Sequence, residues 1–183
     1  GDASDIQSTD KAYGGIGDDT IYAGLGGNEL YGESGSDIIS GKVNKGRFFG
    51  GDGDDEISIT ALADGTAQIY GGSGNDTIIA NNISSGSLTF AQERAEMTIE
   101  AGSGNDIVKA RGAATIHLGE GNDEVHAAGV GSVIHLGPGG ADDVDRVFNA
   151  RGAKIVGADG YDRIAVNGYQ DIAGIYRRGV LSE

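Results

Sequence analysis

The 183 residues contain no cysteine, no tryptophan, one proline and one methionine. Without cysteine there is no disulfide, no thiolate metal site and no thiol nucleophile. No apolar run approaches the roughly 18 residues of a membrane-spanning helix, so no membrane span is expected. Basic residues are also scarce: 13 Lys and Arg stand against 28 Asp and Glu, for a net charge of −15. Nucleic acids and anionic membranes are bound through clustered Lys and Arg, and this balance disfavours both. The chain opens on the polar stretch Gly1-Asp2-Ala3-Ser4-Asp5-Ile6, with no signal-peptide pattern, and reads as a piece of a longer protein. The residues show no Gly-x-Ser-x-Gly, no His-Glu-x-x-His and no phosphate-binding loop, so no enzyme activity is expected.

Glycine, in contrast, is abundant, with 35 copies. Collagen is excluded because the glycines do not recur every third residue. They follow another period instead. Gly14-Gly-Ile-Gly-Asp-Asp19-Thr-Ile21-Tyr, Ala23-Gly-Leu-Gly-Gly-Asn28-Glu-Leu30-Tyr and Gly32-Glu-Ser-Gly-Ser-Asp37-Ile-Ile39-Ser are three consecutive nine-residue units. The loop returns before Asp55, Asp76, Asp106 and Asp123, and in looser form before Asp145 and Asp162. The common pattern is Gly-Gly-x-Gly-x-Asp-x-U-x, where U is a large apolar residue.

The eight aspartates lie 18, 18, 21, 30, 17, 22 and 17 residues apart. The underlying step is 18, or two nonapeptides per turn of a coil. One half-turn keeps the acidic loop. The other mostly loses it, with Asn28 in place of Asp and then Lys42–Gly46, Ala63–Gly65 and Arg111–Ala114. Short strands place U residues on one face. Ile21, Ile39, Ile57, Ile78, Val108, Val125, Val147 and Ile164 then stack on one wall, and Leu30, Phe48, Ile69, Ile99, Ile116, Ile134 and Ile155 on the facing wall. Stacking buries a core that no single repeat can bury alone. The expected fold is all-β, a right-handed parallel β-roll of about 18 residues per turn and roughly eight to nine turns. It forms one domain over 1–183, with repeats at about 12–165. An insertion at about 84–96 carries a candidate short helix through Phe90–Met97, and 166–183 is expected to cap the last turn.

A loop rich in hard oxygen donors suits Ca²⁺, which accepts six to eight oxygens in irregular geometry, better than the stricter Mg²⁺. Carboxylates stacked about 5 Å apart repel one another unless cations lie between them. Seven Ca²⁺ ions would nearly cancel the net charge of −15.

The pattern resembles the RTX (hemolysin-type) calcium-binding repeat over most of the chain. That resemblance implies up to about seven Ca²⁺ ions in one row, mainly along one edge. Each would lie between successive loops, ligated by the Asp at loop position six and by main-chain carbonyls of positions one to four. The implied side-chain ligands are Asp19, Asp37, Asp55, Asp76, Asp106, Asp123, Asp145 and Asp162. In the best-formed loops the implied carbonyls are those of Gly50, Gly51, Asp52, Gly53, Gly71, Gly72, Ser73 and Gly74. Asp142 or Asp143 is an alternative to Asp145, because the loop there is expanded. Ala101 and Leu118 replace the first glycine, where the carbonyl alone is expected to matter. The resemblance further implies a secreted, extracellular bacterial module, exported by type I secretion as an unfolded chain and folding on meeting external calcium. Its partners would be calcium and the other domains of a larger parent protein.

An outward column reads Tyr13, Tyr31, Phe49, Tyr70, Glu100, His117, His135. It admits two readings: a surface that binds polysaccharide or a cell surface, as in an adhesin, or a ladder of stacked rings that stabilises the sheet.

Overall fold

The computed structural model describes residues 9–82, 96–126, 129, 131–138, 144–149, 152–157 and 163–165. Residues 90–95 of the candidate helix and the expected C-terminal cap lie outside them, while the last two helix residues, Glu96 and Met97, begin a strand instead. Among the described residues every regular element is a strand, and no helix is long and apolar enough to cross a membrane.

In chain order the strands are β1 (Thr9–Ile16), β2 (Thr20–Ala23), β3 (Gly27–Ser34), β4 (Ile38–Asp52), β5 (Glu56–Ser73), β6 (Thr77–Asn82) and β7 (Glu96–Ser103). They continue as β8 (Ile107–Arg111), β9 (Thr115–Glu120), β10 (Glu124–His126), β11 (Val133–His135), β12 (Arg146–Phe148), β13 (Lys154–Val156) and β14 (Arg163–Ala165). Every pairing is parallel, and partners are one coil apart rather than adjacent in sequence. One wall runs β2, the first part of β4, the first part of β5, then β6, β8, β10, β12 and β14. The other runs β1, β3, the second parts of β4 and β5, then β7, β9, β11 and β13. This is the expected parallel β-roll.

Both apolar columns fall in register. Ile39 pairs with Ile57, Ile57 with Ile78, Ile78 with Val108, Val108 with Val125 and Val125 with Val147. Opposite them Leu30, Phe48, Ile69, Ile99, Ile116, Ile134 and Ile155 follow one another coil by coil. All of these side chains from Ile39 to Val147 and from Leu30 to Ile155 are buried. Full burial of such a side chain contributes roughly 1.5–3 kcal/mol, so the two columns form the apolar framework of the coil.

Among the described residues each wall has eight rungs, which enclose about seven turns and fit the roughly eight to nine expected. Some of the chain lies outside the period. Val43 pairs with Ala61 but Lys45 with Thr66, so three additional residues leave the ladder at the non-acidic edge. Steps of 30 residues (Thr77 to Ile107) and 22 residues (Glu124 to Arg146) take up more.

Candidate metal centre

Strand alternation turns both loop position six and the following U residue inward, so the aspartates enter the coil beside the isoleucines. Asp37, Asp55, Asp76, Asp106, Asp123 and Asp145 are buried. The main-chain N–H of Asp19 donates to Asp37 Oδ1 at 2.8 Å, Asp37 to Asp55 at 2.8 Å and Asp55 to Asp76 at 2.9 Å. The ladder continues from Asp76 to Asp106 at 2.8 Å, Asp106 to Asp123 at 2.8 Å and Asp123 to Asp145 at 3.0 Å. Asp145 thereby occupies the row position, in agreement with the pairing of Val125 with Val147. Asp142, Asp143 and Asp162 lie outside the described residues.

The second carboxylate oxygen is a different matter. Oδ2 of Asp19, Asp37, Asp55, Asp76 and Asp106 is buried and has no hydrogen-bond partner. Leaving such an acceptor unsatisfied costs about 1–3 kcal/mol, and more for a charged group. Burial pushes the Asp55 carboxyl up to about 6 and the Asp76 carboxyl up to about 7, and neighbouring aspartates add to both shifts. Asp106 is raised too, by burial.

The glycine at loop position one faces that orphaned oxygen. A methyl group on Gly50 would collide with Asp55 Oδ2 and lie 2.5 Å from the Gly71 carbonyl oxygen. The same holds at Gly32, against Asp37 Oδ2 and the Gly50 carbonyl, and at Gly71, against Asp76 Oδ2 and the Ala101 carbonyl. At Gly14 the corresponding separations are 2.8 Å to Asp19 Oδ2 and 2.7 Å to the Gly32 carbonyl. A carboxylate oxygen and a carbonyl oxygen of the next coil therefore converge on a space that glycine keeps open. At these four positions the missing side chain matters as well as the carbonyl. A second glycine requirement is conformational. Gly53 has φ +123°, and an added methyl would run into the Gly35 carbonyl of the preceding coil.

The opposite edge shows what the acidic loops lack. Asn28 occupies loop position six there and is 4% exposed. Its Nδ2 donates to the carbonyls of Gly24 (2.8 Å) and Gly26 (3.1 Å), loop positions two and four. The amide N–H groups fill the role that a cation would fill. Ser132 works similarly, accepting the Ala114 N–H at 3.1 Å and donating to the Gly112 carbonyl at 3.4 Å. Sequence reasoning treated this edge as merely degenerate. The Asn-for-Asp exchange at position six was the available signal.

Loop position five carries a further ladder that the sequence reading did not identify. Asn75 donates through its main chain to Asp54 Oδ1 at 2.7 Å, Asn105 to Asn75 Oδ1 at 2.9 Å, and Asn122 to Asn105 Oδ1 at 2.9 Å. The recurring Gly-Asn-Asp triplet is its sequence trace.

Among the described residues no three His, Cys, Asp or Glu side chains form a group able to hold a metal. Each acidic pocket offers one carboxylate and otherwise main-chain oxygen. Such an all-oxygen, irregular donor set suits Ca²⁺, and the unpartnered Oδ2 atoms supply the negative charge.

The outward column is built as expected. The rings of Tyr13 and Tyr31 stack at 4.9 Å, Tyr31 and Phe49 at 4.6 Å, Phe49 and Tyr70 at 4.7 Å, and His117 and His135 at 4.5 Å, all within 8° of parallel. Glu100 bridges the two groups in register. Internal ring faces are thus covered by neighbouring rings, and Tyr13, 60% exposed, ends the stack. Beside it Glu29 binds Lys11 at 2.5 Å and Arg47 at 3.7 Å. Burial and the adjacent His117 lower the His135 pKa. Such stacking along the column stabilises the sheet.

A family model of the RTX calcium-binding nonapeptide repeat matches residues 9–42, 63–82 and 98–125, in four copies. No curated protein and no solved structure matches the chain. The period, the parallel roll and the oxygen-lined acidic edge agree with that match, and the repeats within residues 9–125 are RTX calcium-binding nonapeptide repeats.

Proposed function

We propose that the chain is a structural module of a secreted bacterial protein, one that folds when it meets calcium outside the cell. The observation that carries this reading is the set of buried, unpartnered Oδ2 atoms along one edge. Asp19, Asp37, Asp55 and Asp76 would hold the ions, together with carbonyls of the glycine-rich loops such as those of Gly32, Gly50 and Gly71. Bound Ca²⁺ supplies the positive charge that a stack of buried carboxylates needs. The aspartates orient the loops through the Oδ1 ladder, and the glycines admit oxygen atoms close to one another. Without the ions, a net charge of −15 and buried carboxylates oppose compaction. Binding free energy then becomes folding free energy. An exported chain could stay unfolded where calcium is scarce and lock where it is plentiful, with the ions serving in place of disulfides. The role is structural rather than catalytic, since the repeat itself accounts for the paired carboxylates. The module would serve other domains of a larger parent.

Far-UV circular dichroism during a calcium titration after EGTA treatment, with magnesium as control, tests this. A cooperative coil-to-β transition driven by calcium alone is expected. A chain already folded in EGTA, and unchanged by calcium, would overturn it.

A further inference from the structure

The acidic row is not uniform. Its position-one column reads Gly14, Gly32, Gly50, Gly71, Ala101, Leu118, and the flanking pairs keep these six in register: Tyr13 with Tyr31, Tyr31 with Phe49, Phe49 with Tyr70, Tyr70 with Glu100, and Glu100 with His117. The first four leave open the space where Asp Oδ2 and a carbonyl converge. The last two fill the corresponding position. Ala101 and Leu118 are both 0% exposed and belong to the apolar core, and Leu118 is among its largest fully buried side chains.

Building on the calcium reading, we propose that Ala101 and Leu118 close the pockets at Asp106 and Asp123, so that of the six pockets from Asp19 to Asp123 calcium enters the four glycine-gated ones, at Asp19, Asp37, Asp55 and Asp76. Calcium needs six to eight oxygens at 2.3–2.6 Å. At Gly50 and Gly71 a methyl carbon would collide with the very oxygens that would serve as ligands. At Ala101 that methyl is present, and at Leu118 a larger branched group takes its place. Asp106 retains a structural task, since its Oδ1 accepts the Asp76 N–H at 2.8 Å. Asp123 does the same for Asp106. The roll therefore changes its means of holding the acidic edge along its length. Ions hold the coils up to Asp76, and the buried apolar side chains of Ala101 and Leu118 hold the next two.

Counting bound calcium per chain, by native mass spectrometry of the calcium-saturated full chain, tests the inference. Asp76→Asn should lose one ion. Asp106→Asn should lose none, because its amide oxygen still accepts the ladder hydrogen bond. Ala101→Gly should gain one. If Ala101→Gly fails to fold, the Asp76→Asn and Asp106→Asn pair decides alone. Loss of an ion in Asp106→Asn, or an unchanged count in folded Ala101→Gly, would overturn the inference while leaving the calcium reading in place. A wild-type chain that binds no calcium would overturn both.

Discussion

The main-chain N–H of Asp55 donates to Asp76 Oδ1 at 2.9 Å, while Oδ2 of the same Asp76 carboxylate is buried without a partner. One oxygen serves the fold, and in the proposed function the other serves calcium. Asp55 repeats the arrangement one coil earlier, with Oδ1 accepting from Asp37 at 2.8 Å. Asp55→Asn keeps the ladder acceptor and removes the charge. The calcium concentration at the folding midpoint should rise by roughly tenfold, about 1.4 kcal/mol. Asp18→Asn should shift it little, because Asp18 is exposed and accepts only the Ser36 N–H at 2.8 Å. Equal shifts in calcium-titrated circular dichroism would contradict the distinction between inner and outer carboxylates.

The second edge makes the reciprocal case. Asn28→Asp replaces a donor that satisfies the Gly24 and Gly26 carbonyls with a carboxylate that repels them. The variant should lose about 1–3 kcal/mol at limiting calcium. Part of that loss should return at saturating calcium, because the variant edge acquires the same donor types as the acidic one. Urea unfolding at limiting and at saturating calcium measures both effects. A variant as stable as wild type at limiting calcium would show that the Asn28 amide is dispensable.

Acid should favour the calcium-free roll. Burial raises the Asp55 and Asp76 carboxyls from 3.8 to about 6 and about 7 in the fold. The folded state thus binds protons more tightly than the unfolded state. The resulting stability is complete below the unfolded value and is lost as pH rises through the folded values. In metal-stripped buffer the β signal of far-UV circular dichroism should grow toward pH 5 and fade toward pH 8. A β signal that grows as pH rises over this window would contradict the burial of uncompensated carboxylates.

Phe49 lies between Tyr31 and Tyr70, stacked at 4.6 and 4.7 Å. Phe49→Ala breaks both contacts, and at about 0.5–1.5 kcal/mol for each aromatic pair the loss should total about 1–3 kcal/mol. Thermal melts of the calcium-loaded protein measure it. Unchanged stability together with lost binding on a glycan array would instead make the column a recognition surface.

Much of this architecture was legible in the sequence because two periodic constraints reinforce each other. Ile39, Ile57 and Ile78 face the core only if Asp37, Asp55 and Asp76 share an edge, and the observed pairs obey both. The same coupling fixes Asp145 through Val147. Side-chain direction was harder to read. Repeat spelling does not tell that Gly50 points its Cα hydrogen at Asp55 Oδ2, so the importance of Ala101 and Leu118 emerged only in three dimensions. The amide of Asn28 was hidden for a related reason: its carbonyl partners converge only after the loop has turned. Steps of 21, 30 and 22 residues divert chain away from the 18-residue coil.

The central claim is that calcium lies in a row along one edge of the roll. A crystal structure of the calcium-loaded chain, with anomalous difference density at a wavelength where calcium scatters anomalously, tests it most directly. The account predicts peaks within the pockets of Asp19, Asp37, Asp55 and Asp76 and none beside Asn28. An acidic edge without ordered ions, or ions spread equally over both edges, would contradict it.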